Sequence, residues 1–212
     1  MKKIVLSMFM LLALTATAKD KTSDAKYLAG AVPEENGTIV FRKGFSVAGK
    51  SDQEVTKVMQ DFVNQLVDKS ITAPGNYARI MESSDNSVVA RVCEWLVFKQ
   101  KPFVSDKARM RYLIQVNTKD SRVDMSVTQI SYYYEEDQEG MNGEIIKAEE
   151  WISDKEALNK AKTKLYPKSG KFRRKTVDRM ENLFEAAMDA FDEPEPEVVV
   201  PVKKVRKNIV ED

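Results

Sequence analysis

The chain has 212 residues, with 34 basic and 33 acidic side chains, a formal charge of +1, one cysteine and no histidine. Without histidine it has no Ser-His-Asp or Cys-His nucleophile, no histidine-bound zinc, and not the side chain most used for proton transfer near neutral pH. The lone Cys93 excludes an intramolecular disulfide, and balanced charge removes the compositional footprint of a nucleic-acid binder.

Met1-Lys2-Lys3 precedes an apolar run from Ile4 to Leu14, and Ala16 and Ala18 stand just before the charged Lys19-Asp20-Lys21. A basic start, a short apolar core and small residues at the boundary are the parts of a secretory signal peptide, one too short to span a bilayer. The expectation is a periplasmic or secreted protein that is not membrane-spanning, with residues 1–18 cleaved after Ala18. No cysteine stands at that boundary, so a lipid anchor is not expected. Cleavage takes Lys2 and Lys3 away and moves the formal charge from +1 to −1.

Residues 19–36 are polar and read as a lead-in. From Thr38 the residues Ile39, Phe41, Phe45 and Val47 alternate with Val40, Arg42, Gly44 and Ser46, the period of a half-buried strand. Ser51 followed by Glu54 is a capping box. Val55, Val58, Met59, Phe62, Val63, Leu66 and Val67 then give one apolar face to a helix from about Asp52 to Lys69.

Four strand-like runs follow: Tyr77 to Met81, Val88 to Phe98, Arg109 to Asn117, and Val123 to Tyr134. In the third, Met110, Tyr112, Ile114 and Val116 share one face. In the fourth, Val123, Met125 and Val127 hold one phase while Ile130, Tyr132 and Tyr134 hold the other, which predicts a β-bulge near Thr128-Gln129. An acidic stretch runs from Glu135 to Glu150.

Ser153 and Glu156 form a second capping box, opening a modest helix that stops before Pro167. After Lys168-Ser169-Gly170, the residues Phe172, Val177, Met180, Leu183, Phe184, Ala187, Met188 and Phe191 form the strongest helical stripe of the chain. Residues 192–212 alternate proline and carboxylate before a valine run and a lysine-rich end, and read as a flexible tail.

The order strand, helix, four strands, helix is that of an α+β fold with a curved antiparallel sheet packed against helices on one face. With it come the Gly37-Thr38-Ile39-Val40-Phe41 opening strand, the Trp95 strand, and Gly170-Lys171-Phe172-Arg173 before Thr176-Val177-Asp178. Together these resemble an exported Bacteroidetes family of unknown function with a TBP-like (TATA-binding-protein-like) fold, over residues 37–191. The resemblance implies that fold and a periplasmic or surface setting, and no catalytic residue or ligand.

Several side chains stand out. Trp95, Tyr112, Tyr132, Tyr133, Tyr134 and Trp151 are candidates for a binding surface on the open face of the sheet. Lys171, Arg173, Arg174 and Lys175, with Lys168 and Gly170 at a helix start, are candidates for anion binding. Glu135, Glu136, Asp137, Glu139, Asn142 and Glu144 offer oxygen donors but no EF-hand spacing, so no metal is expected.

Cys93 reads as a buried structural thiol, and Glu94 as an acid facing solvent at an edge. A pair of carboxylates running glycoside hydrolysis is the enzyme class left open by composition. Apart from Glu94 and Asp124, no acid sits in apolar strand context.

The functional expectation is a non-enzymatic binding or interaction module of the cell envelope, with no cofactor. Its partner would be an envelope protein, a glycan or a small apolar ligand, and not a nucleic acid. The alternative is a carrier of lipid or another small molecule, with a cavity between the C-terminal helix and the sheet.

Overall fold

The computed structural model describes residues 21–68, 76–101, 104–134 and 143–192. Residues 1–18, expected to be a signal peptide, the tail from 193 and the acidic residues 135–142 lie outside the described residues.

The lead-in forms a 3-10 helix, Lys21–Tyr27, and a small hairpin of β1 (Glu34–Glu35) and β2 (Thr38–Ile39). Asn36 and Gly37 close that hairpin with φ of 50° and 78°, the left-handed pair that a two-residue turn needs. Val32 and Ile39 are buried in the main core, so the packed fold begins before the Thr38 start suggested by strand periodicity.

The chain then runs through β3 (Phe41–Ser46), α1 (Asp52–Asp68), β4 (Tyr77–Ser84), β5 (Ser87–Lys101), β6 (Val104–Lys119), β7 (Arg122–Tyr134) and β8 (Glu144–Lys147). These six strands make one antiparallel sheet in the order β3-β7-β6-β5-β4, with β8 also on β7. β3 pairs with the first half of β7 and β8 with its last four residues, so both occupy the same flank. The sequence led to five strands in this region, and the sixth is β8. It is only four residues long, and its neighbouring acids mask it.

At Gln129, φ is 52° and the register against β6 shifts between Arg111 and Leu113, which is the expected bulge. The extra residue returns Ile130 and Tyr132 to the face that Val123, Met125 and Val127 occupy, and all five are buried. Asp120 and Ser121 turn β6 into β7 with φ of 54° and 55°.

α1 opens on its capping box: the Ser51 hydroxyl accepts from Glu54 N at 3.3 Å, and the Glu54 carboxylate accepts from Ser51 N at 2.7 Å. Its buried residues Val55, Met59, Phe62 and Val63 lie over β4, β5 and β6. Of the second box the Ser153 half is seen, its hydroxyl accepting from Glu156 N at 3.4 Å while the Glu156 carboxylate meets Lys155, and α2 (Asp154–Ala157) is a single turn rather than a modest helix. Leu158 is extended, and the Asn159 carboxamide accepts from Thr163 N and Lys164 N, offering the backbone a loop instead of a further helical turn.

α3 (Pro167–Asp189) starts at Pro167 rather than after Gly170, because proline suits the first helical position, where an N–H has no intrahelical partner. Phe172, Val177, Met180, Leu183, Phe184 and Ala187 are buried. Each of the large ones contributes about 1.5–3 kcal/mol on leaving water. α1 and α3 therefore cover one face of the sheet, and among the described residues no helix lies on the other.

Candidate binding face

Strand alternation sorts β5 cleanly. Val88, Ala90, Val92 and Leu96 go to the helices, while Val89, Arg91, Cys93, Trp95 and Val97 go to the uncovered face. Register carries this sorting across the sheet. Arg91 lies between Arg79 of β4 and Leu113 of β6, and Cys93 between Tyr77 and Arg111. Trp95 lies beside Arg109, which in turn stands opposite Tyr133.

Arg79, Arg91 and Arg111 are exposed, and Tyr77 keeps 40% of its surface in water. The Trp95 ring carries Lys107 Nζ at 3.8 Å and Arg109 Cζ at 4.6 Å, a cation–π stack on the face of the sheet. Its backbone N donates to the Asn76 carboxamide at 3.1 Å, tying the start of β4 to mid-β5. Cys93 is wholly buried and free, as a structural thiol should be.

The aromatic set divides. Trp95 and Tyr133 belong to the open face. Tyr112 and Tyr132 do not: both are fully buried on the helical side, because they share strand phase with Met110 and Ile130. Burial pushes the Tyr112 hydroxyl well above its ordinary pKa, helped by the charge of Glu94, to which it donates at 2.8 Å. Tyr132 is raised by burial too, and shares a 2.7 Å hydrogen bond with Thr176 of α3. Tyr134, also on the helical side, packs against Phe172 and donates to Asp106 at 2.9 Å. Trp151 lies beyond β8, edge-on to Phe172 at 5.9 Å, with its Nε1 buried and unpartnered.

Glu94 faces α3 rather than solvent. It accepts from Tyr112 and from Arg179 Nε at 2.7 Å, so it is the acid of an internal ion pair. Asp124 pairs with Arg122 on the exposed face. The two acids singled out by strand context thus face opposite sides of the sheet, and retaining or inverting hydrolysis would need both carboxyls on one substrate.

Three of the four anion-binding candidates are consumed by internal partners. Arg173 is wholly buried and donates to the carbonyls of Tyr27, Leu28 and Ile152 and to Asp154, at 2.6–2.7 Å. Arg174 binds Asp24 through two nitrogens at 2.8 Å. Lys171 Nζ holds both oxygens of Asp106 and the Tyr134 hydroxyl, and lies over the rings of Phe98 and Tyr134. Burial opposes the Lys171 charge, yet the bonds to Asp106 and Tyr134 leave its pKa above the ordinary value.

Lys175 alone of the four remains exposed. The physical reason is position: cations in the first turns of a helix meet the positive end of its dipole, and acids from elsewhere in the chain offset that for Lys171, Arg173 and Arg174. Of the acidic oxygen cluster, residues 135–142 lie outside the described residues, and Glu144 opens β8.

What sequence reasoning missed is the arginine group on the open face. The cations are dispersed over β4, β5 and β6, and only the register brings Arg79, Arg91 and Arg111 together. A groove of about 530 Å³ beside α2, lined by Glu34, Lys155, Lys160, Lys162 and Tyr166, was also unforeseen. Lys155 pairs with Glu156 and Lys162 lies 3.7 Å from Asp154.

A helix-backed antiparallel sheet of this order defines a TBP-like α+β domain. The family model for DUF4468, a domain of unknown function with TBP-like fold, matches residues 41–133. A crystal structure of a DUF4468 family protein from Bacteroides ovatus is 35% identical, covers 81% of this chain and 96% of its own, and superposes with a TM-score of 0.71. The chain belongs to the DUF4468 family. A TBP-like protein from Parabacteroides distasonis, 17% identical over 78% of this chain and 99% of its own, shares the fold with a TM-score of 0.61. No curated protein matches the chain. Among the described residues no helix is long and apolar enough to cross a membrane.

Proposed function

We propose that the protein is an exported, non-enzymatic binding module of the cell envelope that meets its partner through the open face of the sheet. The observation that carries this reading is the difference between the two faces. On one, α1 and α3 bury a continuous apolar core; on the other, the strands present arginine, tyrosine and tryptophan side chains with no helix above them among the described residues. Export rests on the Met1–Ala18 pattern, and the absence of histidine supports a binding role over acid–base catalysis.

The carrier alternative draws little support from the packing. Phe172, Met180, Leu183 and Phe184 fill the space between α3 and the sheet, where a cavity would have to lie. A photo-crosslinking residue at Gln115, exposed on the open face, tests the module reading against the same probe at Lys175 on α3. In envelope extract, adducts should form at 115 and not at 175. Equal labelling, or labelling at 175 alone, would refute the reading.

A further inference from the structure

We infer that Arg79, Arg91 and Arg111 form a binding site for an acidic polysaccharide, a chain of sugars carrying carboxylate or sulfate groups. This rests on the open-face reading above and names its ligand class.

Arg79 and Arg91 are directly opposed across β4 and β5, which sets their Cβ atoms about 4.5–5.5 Å apart, and Arg111 stands diagonal to Arg91 at about 7–8 Å. Like charges in direct opposition destabilise a sheet. The nearest acid in register, Glu82, stands opposite Val89, and none of the three arginines makes an ion pair or side-chain hydrogen bond with another described residue.

The other described arginines have partners: Arg42 pairs with Glu35, Arg122 with Asp124, Arg173 with Asp154, Arg174 with Asp24 and Arg179 with Glu94. Arg109 is laid on Trp95. Three adjacent exceptions to that pattern, all exposed, are a cost in the free protein that an anionic ligand would relieve.

Guanidinium groups are planar forks that match carboxylate and sulfate oxygens two at a time. Between them the sheet offers a narrow apolar floor at the half-buried Leu113, with Tyr77 at the β4 side. One aromatic ring at the rim of a cation cluster suits a sugar ring bearing charged groups. A single-stranded nucleic acid stacks successive bases on successive free aromatic faces, and here the Trp95 ring is already covered by Lys107 and Arg109.

The test is titration of the purified protein with polygalacturonate and with heparin, using dextran as the neutral control. The expected result is saturable binding to the charged chains, weakening as salt rises because the polymer's counterions are released, and none to dextran. The triple variant R79Q/R91Q/R111Q should bind about ten-fold or more weakly, while Lys175→Gln should bind as the parent does.

Thermal melting of Arg91→Gln supplies the readout that a structural role would not give. Its midpoint should be unchanged or higher, because the like-charge opposition is gone. The inference falls if neither charged polysaccharide binds at low salt, or if the triple variant binds them undiminished. It also falls if oligo(dT) or phosphatidylglycerol vesicles bind more tightly than both. In those cases, adducts at position 115 would leave the open-face reading standing, whereas their absence would remove it too.

Discussion

Replacing Arg173 by methionine keeps most of the aliphatic stem and removes the guanidinium from a wholly buried site. Four hydrogen bonds go with it: Nε to Tyr27 O and Nη1 to Ile152 O at 2.6 Å, Nη2 to Leu28 O at 2.7 Å, and Nη2 to Asp154 at 2.6 Å. Three carbonyls lose their donor. Asp154, whose side chain is 24% exposed, keeps the Gly30 N–H at 3.0 Å.

Breaking a buried pair from one side costs about 3–5 kcal/mol, because the partner charge and acceptors stay buried. Against a total stability of about 5–15 kcal/mol that is a large fraction. With a urea slope of about 2 kcal/mol per molar, a 4 kcal/mol loss lowers the unfolding midpoint by about 2 M. Amide exchange should show the first loss of protection between Asp24 and Val32, since Arg173 holds the Tyr27 and Leu28 carbonyls of that segment to α3, beside the Arg174–Asp24 and Tyr27–Asp178 contacts. Adding Asp154→Asn to the methionine variant should cost less than it costs the parent, the two sites being coupled. A loss under about 1 kcal/mol, with lead-in protection intact, would show that Arg173 does not hold the lead-in to the domain.

Phe184→Ala, mid-stripe on α3, should cost about 3–5 kcal/mol in a denaturant melt, and a loss under about 1 kcal/mol would mean α3 is not docked on the sheet. The Asp154 carboxyl sits below its ordinary pKa: burial alone would raise it, but the bonds from Arg173 and Gly30 N outweigh that. Its contribution is therefore complete above about pH 4 and lost as pH falls through the depressed folded value. An acid-unfolding curve of Asp154→Asn should be flatter over that window than the parent's. Cys93 should react with a thiol reagent only in denaturant, and rapid labelling of the native protein would contradict its burial. N-terminal sequencing of protein recovered from the envelope should begin at Lys19, whereas an intact Met1 would defeat the export reading.

The parts of the fold legible in the sequence are those written in local periodicity. The phase change between Val127 and Ile130 allowed only a bulge if both sets were to be buried, and Gln129 supplies it. Ser51 and Glu54 named a helix start because the motif is self-contained within four residues. The same alternation that put Tyr112 with Met110 and Ile114 already argued for the core, so its assignment to an open face set residue type above phase.

Pro167 bars the continuation of a preceding helix and equally suits the first position of the next, and Asn36-Gly37 is a hairpin signal in plain view. The basic run at the head of α3 was opaque for a different reason. Its acids are far away in the chain: Asp24 is 150 residues before Arg174, and Asp106 is 65 residues before Lys171. Nothing local to that run distinguishes a free anion site from a set of tertiary ion pairs.

The near-neutral total charge hid the open face for the same reason. A balance of 34 bases and 33 acids says nothing of where each sign is spent. Asp24, Glu94, Asp106 and Asp154 are spent on the helical side, tied to Arg174, Arg179, Lys171 and Arg173. Those pairs bind the lead-in, α3 and the sheet together, and each takes up one base with one acid, so the remaining charge stays balanced in total. What leaves Arg79, Arg91 and Arg111 uncompensated is register, which sets them beside one another and beside Leu113 and Cys93 rather than beside an acid. Because the Glu94–Arg179 pair lies on the helical side, Glu94→Gln should weaken that tether and stability while leaving polyanion binding at Arg79, Arg91 and Arg111 unchanged. Parallel loss of both would mean the two faces are not separate in function.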